Sequence, residues 1–168
     1  MQMEIDRLSQ HYTVRAIQDA DVQAVYQLYQ SNTVYYAYEK STVTLETVEH
    51  DRKALPKHKT YHDKFYVGFY EKQKLAAVMD WIAAYPDDKT VFIGLLILDA
   101  HCQKQGIGTQ IIRDAMNYWK KAGFSFVRLG CIKGNTEGEH FWRKHQFLPT
   151  GVETQTEHYT VMVMQRPL

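Results

Sequence analysis

The chain has 168 residues, 45% of them hydrophobic, which suits a single domain spanning 1–168 with a real core. A formal net charge of +1 gives no global case for nucleic acid or an anionic membrane as partner, and no apolar run approaches the roughly 20 residues of a membrane span. MQMEIDRLSQ lacks the apolar stretch of a secretory signal, and Cys102 and Cys131 match neither CxxC nor zinc spacing, so a cytoplasmic protein is expected.

YTVRAI (12–17) alternates as a strand does. Asp19 or Asp21 can cap a helix running to about Tyr29, with Val22, Val25, Tyr26 and Tyr29 on one face. SNTVYYAY (31–38) reads as a Tyr-rich loop. A second helix is predicted from Thr44 to before Pro56, with Leu45, Val48, Arg52 and Leu55 on one side, and PKHKTYHDK (56–64) is a polar surface loop. FYVGFY (65–70) and LAAVMDWIAAY (75–85) form a hairpin across EKQK. After the turn PDDK (86–89), TVFIGLLIL (90–98) is almost wholly apolar and is expected as a central strand buried on both faces. Ile111, Ile112, Ala115, Met116 and Trp119 keep one face apolar on a helix from Thr109 to about Lys121, which Gly123 stops. FSFVRLGCI (124–132) is a strand. TEGE (136–139) has the spacing of a capping box, Thr then Glu three later, opening a helix through about His145. GVETQ (151–155) and YTVMVMQ (159–165) are closing strands. The order β-α-α-β-β-β-α-β-α-β-β has too few helices for a doubly wound sheet and predicts an α/β fold with a mixed sheet covered by helices on both faces.

The turn AHCQKQGIGTQ (100–110) joins the apolar strand to the long helix and carries Gly106 and Gly108. Glycines there let backbone approach a ligand, and the first helical N–H groups with the helix dipole favour an anion, so the turn can hold phosphate. A P-loop requires Gly-Lys-Ser/Thr, whereas Thr109 and Gln110 follow Gly108. A dinucleotide fingerprint requires a third glycine, and that position is Ile111. Gln103-x-x-Gly106-x-Gly108 resembles the pyrophosphate loop, Q/R-x-x-G-x-G/A, of the GNAT (Gcn5-related N-acetyltransferase) superfamily. NTEGEHFWRKHQF (135–147) is similar to that family's next motif, N-x-x-A-x-x-x-Y-x-K-x-G-F, with Asn135, Lys144 and Phe147 matching.

The resemblance implies a mostly antiparallel GNAT-like sheet and acetyl-CoA as cosubstrate. Backbone N–H groups from Gln103, Lys104, Gln105, Gly106, Ile107, Gly108 and Thr109 would hold the pyrophosphate; Lys104 would reach an outer phosphate or stand free in solvent. Leu96 and Leu98 would pair with the pantetheine arm where strands 90–98 and 124–132 splay, and a backbone N–H near Leu98 would stabilise the oxyanion. Asn135 and Trp142 fall among the coenzyme-contacting positions. Trp142 stands where the family usually has its acidic Tyr; an indole N–H donates a hydrogen bond but is no acid near neutral pH. Gln146 replaces the usual glycine, and TVFIGLLIL offers no Glu as base.

Two other residues are candidates for proton transfer. Asp80, inside the apolar VMDWI, is either a base with a raised pKa or a solvent-facing edge residue. Tyr159 could donate a proton or simply pack. Tyr35, Tyr36 and Tyr38 fall where the family often lines its acceptor site. His58 and His62 lie beside Pro56, and His140 and His145 are five apart, so no metal site is expected. The implied activity is direct acetyl transfer to a primary amine of a small molecule or peptide, with a homodimer compatible. A non-catalytic acyl-CoA-binding module is the alternative, and nicotinamide or flavin binding a third.

Overall fold

The computed structural model describes residues 2–168. The elements are β1 (Thr13–Ala16), α1 (Val22–Ser31), α2 (Thr33–Glu39), α3 (Leu45–Lys53), β2 (Lys64–Glu71), β3 (Lys74–Ile82), β4 (Thr90–Leu98), α4 (Ile107–Lys121), β5 (Phe126–Ile132), α5 (Thr136–Lys144), β6 (Leu148–Gln155) and β7 (Thr160–Pro167). They build one seven-stranded sheet in the order β1-β2-β3-β4-β5-β7-β6. Every neighbouring pair is antiparallel except β4 and β5.

Period-two alternation sorts the side chains onto two faces. Val67, Phe69, Ala77, Met79, Trp81, Val91 and Ile93 form one core with Ile111, Ile112, Ala115 and Trp119 of α4. Tyr66, Tyr70, Val78 and Ile97 point the other way, against Val25, Leu28 and Tyr29 of α1 and Val48 of α3. Asp80 shares the parity of Val78, so its carboxyl is directed toward the α1–α3 layer.

The Tyr-rich segment is helical rather than a loop. Only Asn32, at φ −93° and ψ 60°, separates α1 from α2, and Lys40 ends α2 in the left-handed region. Tyr35 and Tyr36 pack on the α1-side core; a run of β-favouring tyrosines in a two-turn helix leaves no clear period to read. The cap of α5 lies one residue earlier than the capping-box spacing suggests: Asn135 Oδ1 accepts from Gly138 N at 3.1 Å, and Glu139 reaches back to Gly134 N at 2.9 Å. β3 ends at Ile82 rather than continuing to Tyr85, because Ala83 N turns to the Asp63 carbonyl and Ala84 takes a positive φ of 53°.

β4 is not buried along its whole length. Val91 and Ile93 are enclosed, but Gly94 is exposed and Leu95, Leu96 and Leu98 are half-buried. Asp80 pairs with Leu95 and Trp81 with Ile93, so Gly94 is a one-residue bulge. Pairing with β5 runs from Thr90↔Phe126 to Ile93↔Leu129 and stops there. The bulge therefore sits where the two parallel strands part. Among the described residues no helix is long and apolar enough to cross a membrane.

Candidate active site

The split between β4 and β5 leaves backbone polar groups free. Asp99 N donates to Ala76 O at 2.8 Å, and antiparallel ladders alternate inward and outward residues. Ile97 and Leu95 accordingly face β3, whereas Leu96 and Leu98 present their N–H and C=O groups to the gap. The Leu98 carbonyl is met there by Asn32 Nδ2 at 2.7 Å and by Gln103 Nε2 at 3.4 Å. Asn32 Oδ1 also accepts from Gln103 Nε2 at 2.5 Å, and Ala100 N donates to Ser31 Oγ at 3.1 Å. The junction of α1 and α2 is thus latched to the end of β4 and to the loop beyond it.

That loop runs through a single 3-10 turn, Ala100–Cys102, to α4. Lys104 (φ 60°) and Gly106 (φ 79°) both take left-handed conformations, curling the backbone so that successive amides converge. From Lys104 to Thr109 no backbone N–H makes a well-formed hydrogen bond among the described residues; the next amide, Gln110, bonds to Gly106 O at 3.0 Å. The side chains take other roles. Gln103 turns inward to Asn32, and Gln105 Nε2 bonds to His101 O at 2.7 Å. Gly108 is closely packed, since a Cβ there would lie 3.2 Å from the ring of Phe141 on α5 and the ring would have to shift by a few tenths of an ångström. Thr109 Oγ1 lies 3.1 Å from His145 Nε2.

On the α1–α3 side, Asp80 meets Lys64, whose Nζ lies 2.7 Å from Oδ1. The side chains retain 13% and 3% exposure, so the pair is buried. Burial pushes the Asp80 carboxyl up to about 6, against the pull of the Lys64 ammonium. A Cβ on Gly94 would fall 2.9 Å from Asp80 Oδ2, so the carboxyl lies directly over the bulge. Gly94 is exposed, and the Asp80 side chain beside it keeps 13% of its surface accessible. Nearby, Tyr29 donates to Asp51 Oδ2 at 2.9 Å and its hydroxyl lies 2.5 Å from that of Tyr66. Burial raises Asp51 as well.

Tyr159 stands in the turn between β6 and β7, half-buried. Burial first, then the negative charges of Glu39 and Asp51, raise its hydroxyl and keep it protonated. Those same two carboxylates and Tyr159 itself act on Tyr35 of α2, so α2 and the β6–β7 turn approach one another across this region. Tyr38 is exposed.

Trp142 and Asn135 belong to α5 and its cap. Trp142 packs edge-on to Phe141 at 4.8 Å and to Phe147 at 5.2 Å between ring centroids. Asn135, 8% exposed, uses its carbonyl oxygen as the helix cap. Lys64, Asp51, Asn32 and His145 join the site without a sequence signal. Lys64 stands at a strand start and meets Asp80 only through the β2–β3 register, which a single sequence does not reveal.

Residues 22–147 match the model of the acetyltransferase (GNAT) family. A search of curated proteins gives no match. Among solved structures, an acetyltransferase from Thermus thermophilus superposes with a TM-score of 0.71 at 18% identity, over 92% of this chain and 96% of that one. The Salmonella typhimurium acetyl transferase that modifies the N-terminal serine of ribosomal protein L7/L12 gives 0.71 at 20%, over 96% and 97%. PaiA N-acetyltransferase from Thermoplasma acidophilum, in complex with coenzyme A, gives 0.63 at 16%, over 91% and 98%. At these identities the likeness is one of fold.

Proposed function

The chain belongs to the GNAT acetyltransferase family, and from that premise we propose that it transfers an acetyl group from acetyl-CoA to a primary amine of a small molecule or peptide by direct attack. The run of amides from Lys104 to Thr109 without a well-formed hydrogen bond carries this assignment. Such a nest at a helix N-terminus suits a pyrophosphate, and the gap-facing backbone of Leu96, with the Leu98 N–H, suits the amides of a pantetheine arm. The complex of PaiA with coenzyme A supports the same ligand for this fold.

In this scheme the acceptor nitrogen attacks the thioester carbonyl; the C–N bond forms as the C–S bond breaks. A Leu98-region amide donates to the developing oxyanion. An alkylammonium ionises near pH 10 and has no lone pair, so it must give up one proton, to solvent, before it attacks, and the nitrogen sheds a second as it becomes bonded to carbon. Asp80, poised near 6, is the base that takes it, directly or through one water. Tyr159, held protonated, supplies a proton to the departing thiolate. Trp142 serves by packing.

Titration calorimetry with acetyl-CoA and coenzyme A, with NADH as control, tests the assignment. Micromolar binding of both coenzyme A forms with NADH silent is expected. No binding of either overturns it. Thiol release on incubation with acetyl-CoA and a panel of amines tests the chemistry; tight binding with silence across the panel would leave a non-catalytic acyl-CoA-binding module.

A further inference from the structure

His145 closes α5 beside the amide nest and is 6% exposed. Its Nε2 lies 3.1 Å from Thr109 Oγ1, on the last residue of the run of amides. One ring contact and two sets of backbone bonds hold the residue in place. Phe141 packs against it at 4.7 Å between centroids and also covers Gly108. The His145 amide bonds to the carbonyls of Phe141 and Trp142, and Arg166 of β7 donates to the His145 carbonyl at 2.9 Å. The charged groups acting on the imidazole are all cationic: Lys144 beside it on α5, Arg113 on α4 and Arg166 on β7. Burial and these three cations hold it below its ordinary value, so it is neutral at pH 7 in the free protein.

A neutral imidazole has two ways to meet Thr109. If Nε2 lacks hydrogen, the Thr109 hydroxyl must donate to it, and the oxygen lone pairs of Thr109 are left facing the nest. If Nε2 carries hydrogen, it donates to Oγ1, and the hydroxyl proton is released toward whatever the nest holds. An anion in the nest favours the second arrangement.

We propose that His145 is a positioning residue for the coenzyme pyrophosphate: it donates from Nε2 to Thr109 Oγ1 and so directs the Thr109 hydroxyl at the anion. This rests on the assignment of the loop to coenzyme A. A protonated His145 has only the productive arrangement, and an anion nearby offsets the three cations that disfavour the charge. Pyrophosphate binding therefore draws a proton onto His145, and affinity rises as pH falls. An opposite charge at this range moves an ionisation enough to change affinity by about tenfold or more between pH 8 and pH 5.5.

The probe is dephospho-coenzyme A, which keeps the pyrophosphate but lacks the phosphate monoester that itself titrates near pH 6. Calorimetry in buffers of different ionisation enthalpy reads the protons taken up on binding. Wild type is expected to take up a substantial fraction of one proton near pH 6.5. His145→Gln, whose amide can donate but not titrate, should bind with an affinity flat in pH and without that uptake. Thr109→Val should bind more weakly and take up a smaller fraction of a proton, since the hydroxyl that links ring to anion is gone while the anion's charge still acts on the ring; this keeps the idea testable if His145→Gln folds poorly. Binding by wild type without proton uptake, or with uptake unchanged in both variants, overturns the role of His145 alone. Absence of any binding by wild type overturns the loop assignment itself.

Discussion

Asp80→Asn separates base catalysis from structural ion pairing. With the carboxyl near 6, about nine-tenths is ionised at pH 7 and about one-tenth at pH 5. If Asp80 is the base, kcat/KM of wild type should fall about tenfold per pH unit below pH 6. Asp80→Asn should lower kcat/KM at pH 7 by about 10²–10⁴-fold, the usual yield of a positioned base, and should abolish the acid limb. The variant also strands the Lys64 ammonium, which is 3% exposed. Stranding a buried ion costs about 3–5 kcal/mol. Removing a carboxylate whose ionisation is displaced upward by about two pH units relieves about 3 kcal/mol at pH 7. The two effects oppose each other and are similar in size, so the variant should fold. Adding Lys64→Met removes the stray charge: if only that charge harmed the enzyme, activity would return; if the base is missing, it would not. Wild-type kcat/KM in Asp80→Asn, with the acid limb intact, would refute Asp80 as base.

The same carboxyl makes a stability prediction. Its raised ionisation means that the native state keeps a proton between about pH 4 and 6 that the unfolded chain has released. Its contribution is thus largest at the acid end of that window and is lost as pH rises through 6; urea midpoints of wild type should show this slope and those of Asp80→Asn should not. Gly108→Asp puts a carboxylate in the nest and a Cβ 3.2 Å from Phe141, so coenzyme A affinity should drop beyond detection by calorimetry. Tyr159→Phe should lower kcat by about 10–100-fold with KM little changed, as expected of a proton donor to the leaving group. Asn135→Ala removes the cap on Gly138 N and should cost about 1 kcal/mol, read as a lower Tm.

Legibility in the sequence follows the range of the interaction that fixes each feature. The order of strands, α4 with its apolar face and the glycine loop come from local periodicity and backbone needs, and all three are readable from neighbours in the chain. The resemblance of Gln103-x-x-Gly106-x-Gly108 to a GNAT loop agrees with the family match over residues 22–147. α2 escapes because its seven residues are mostly tyrosines and small residues whose packing on Tyr29 and the α1-side core is tertiary. The Lys64–Asp80 pair escapes because its partners are 16 residues apart and depend on strand register. Gln103 has a family-like position, yet its side chain turns to Asn32, 71 residues away.

One residue without a side chain ties these parts together. Gly94 is the odd residue of β4 between Ile93 and Leu95, and pairing with β5 ends beside it. In an unbroken strand the apolar run 90–98 would be sealed between β3 and β5, with no backbone left for a ligand. The bulge instead turns the strand's second half away from β5 while β3 still holds it. It also leaves the space that the Asp80 carboxyl fills, 2.9 Å from where a Cβ would stand. The opening of the split and the placing of the acid are therefore one structural event. Gly94→Ala couples them in a single test: the methyl must displace Oδ2, so the acid limb of kcat/KM should shift while coenzyme A affinity, set at the far end of β4, should stay within about twofold. A change in affinity with the acid limb unmoved would break the link between bulge and base.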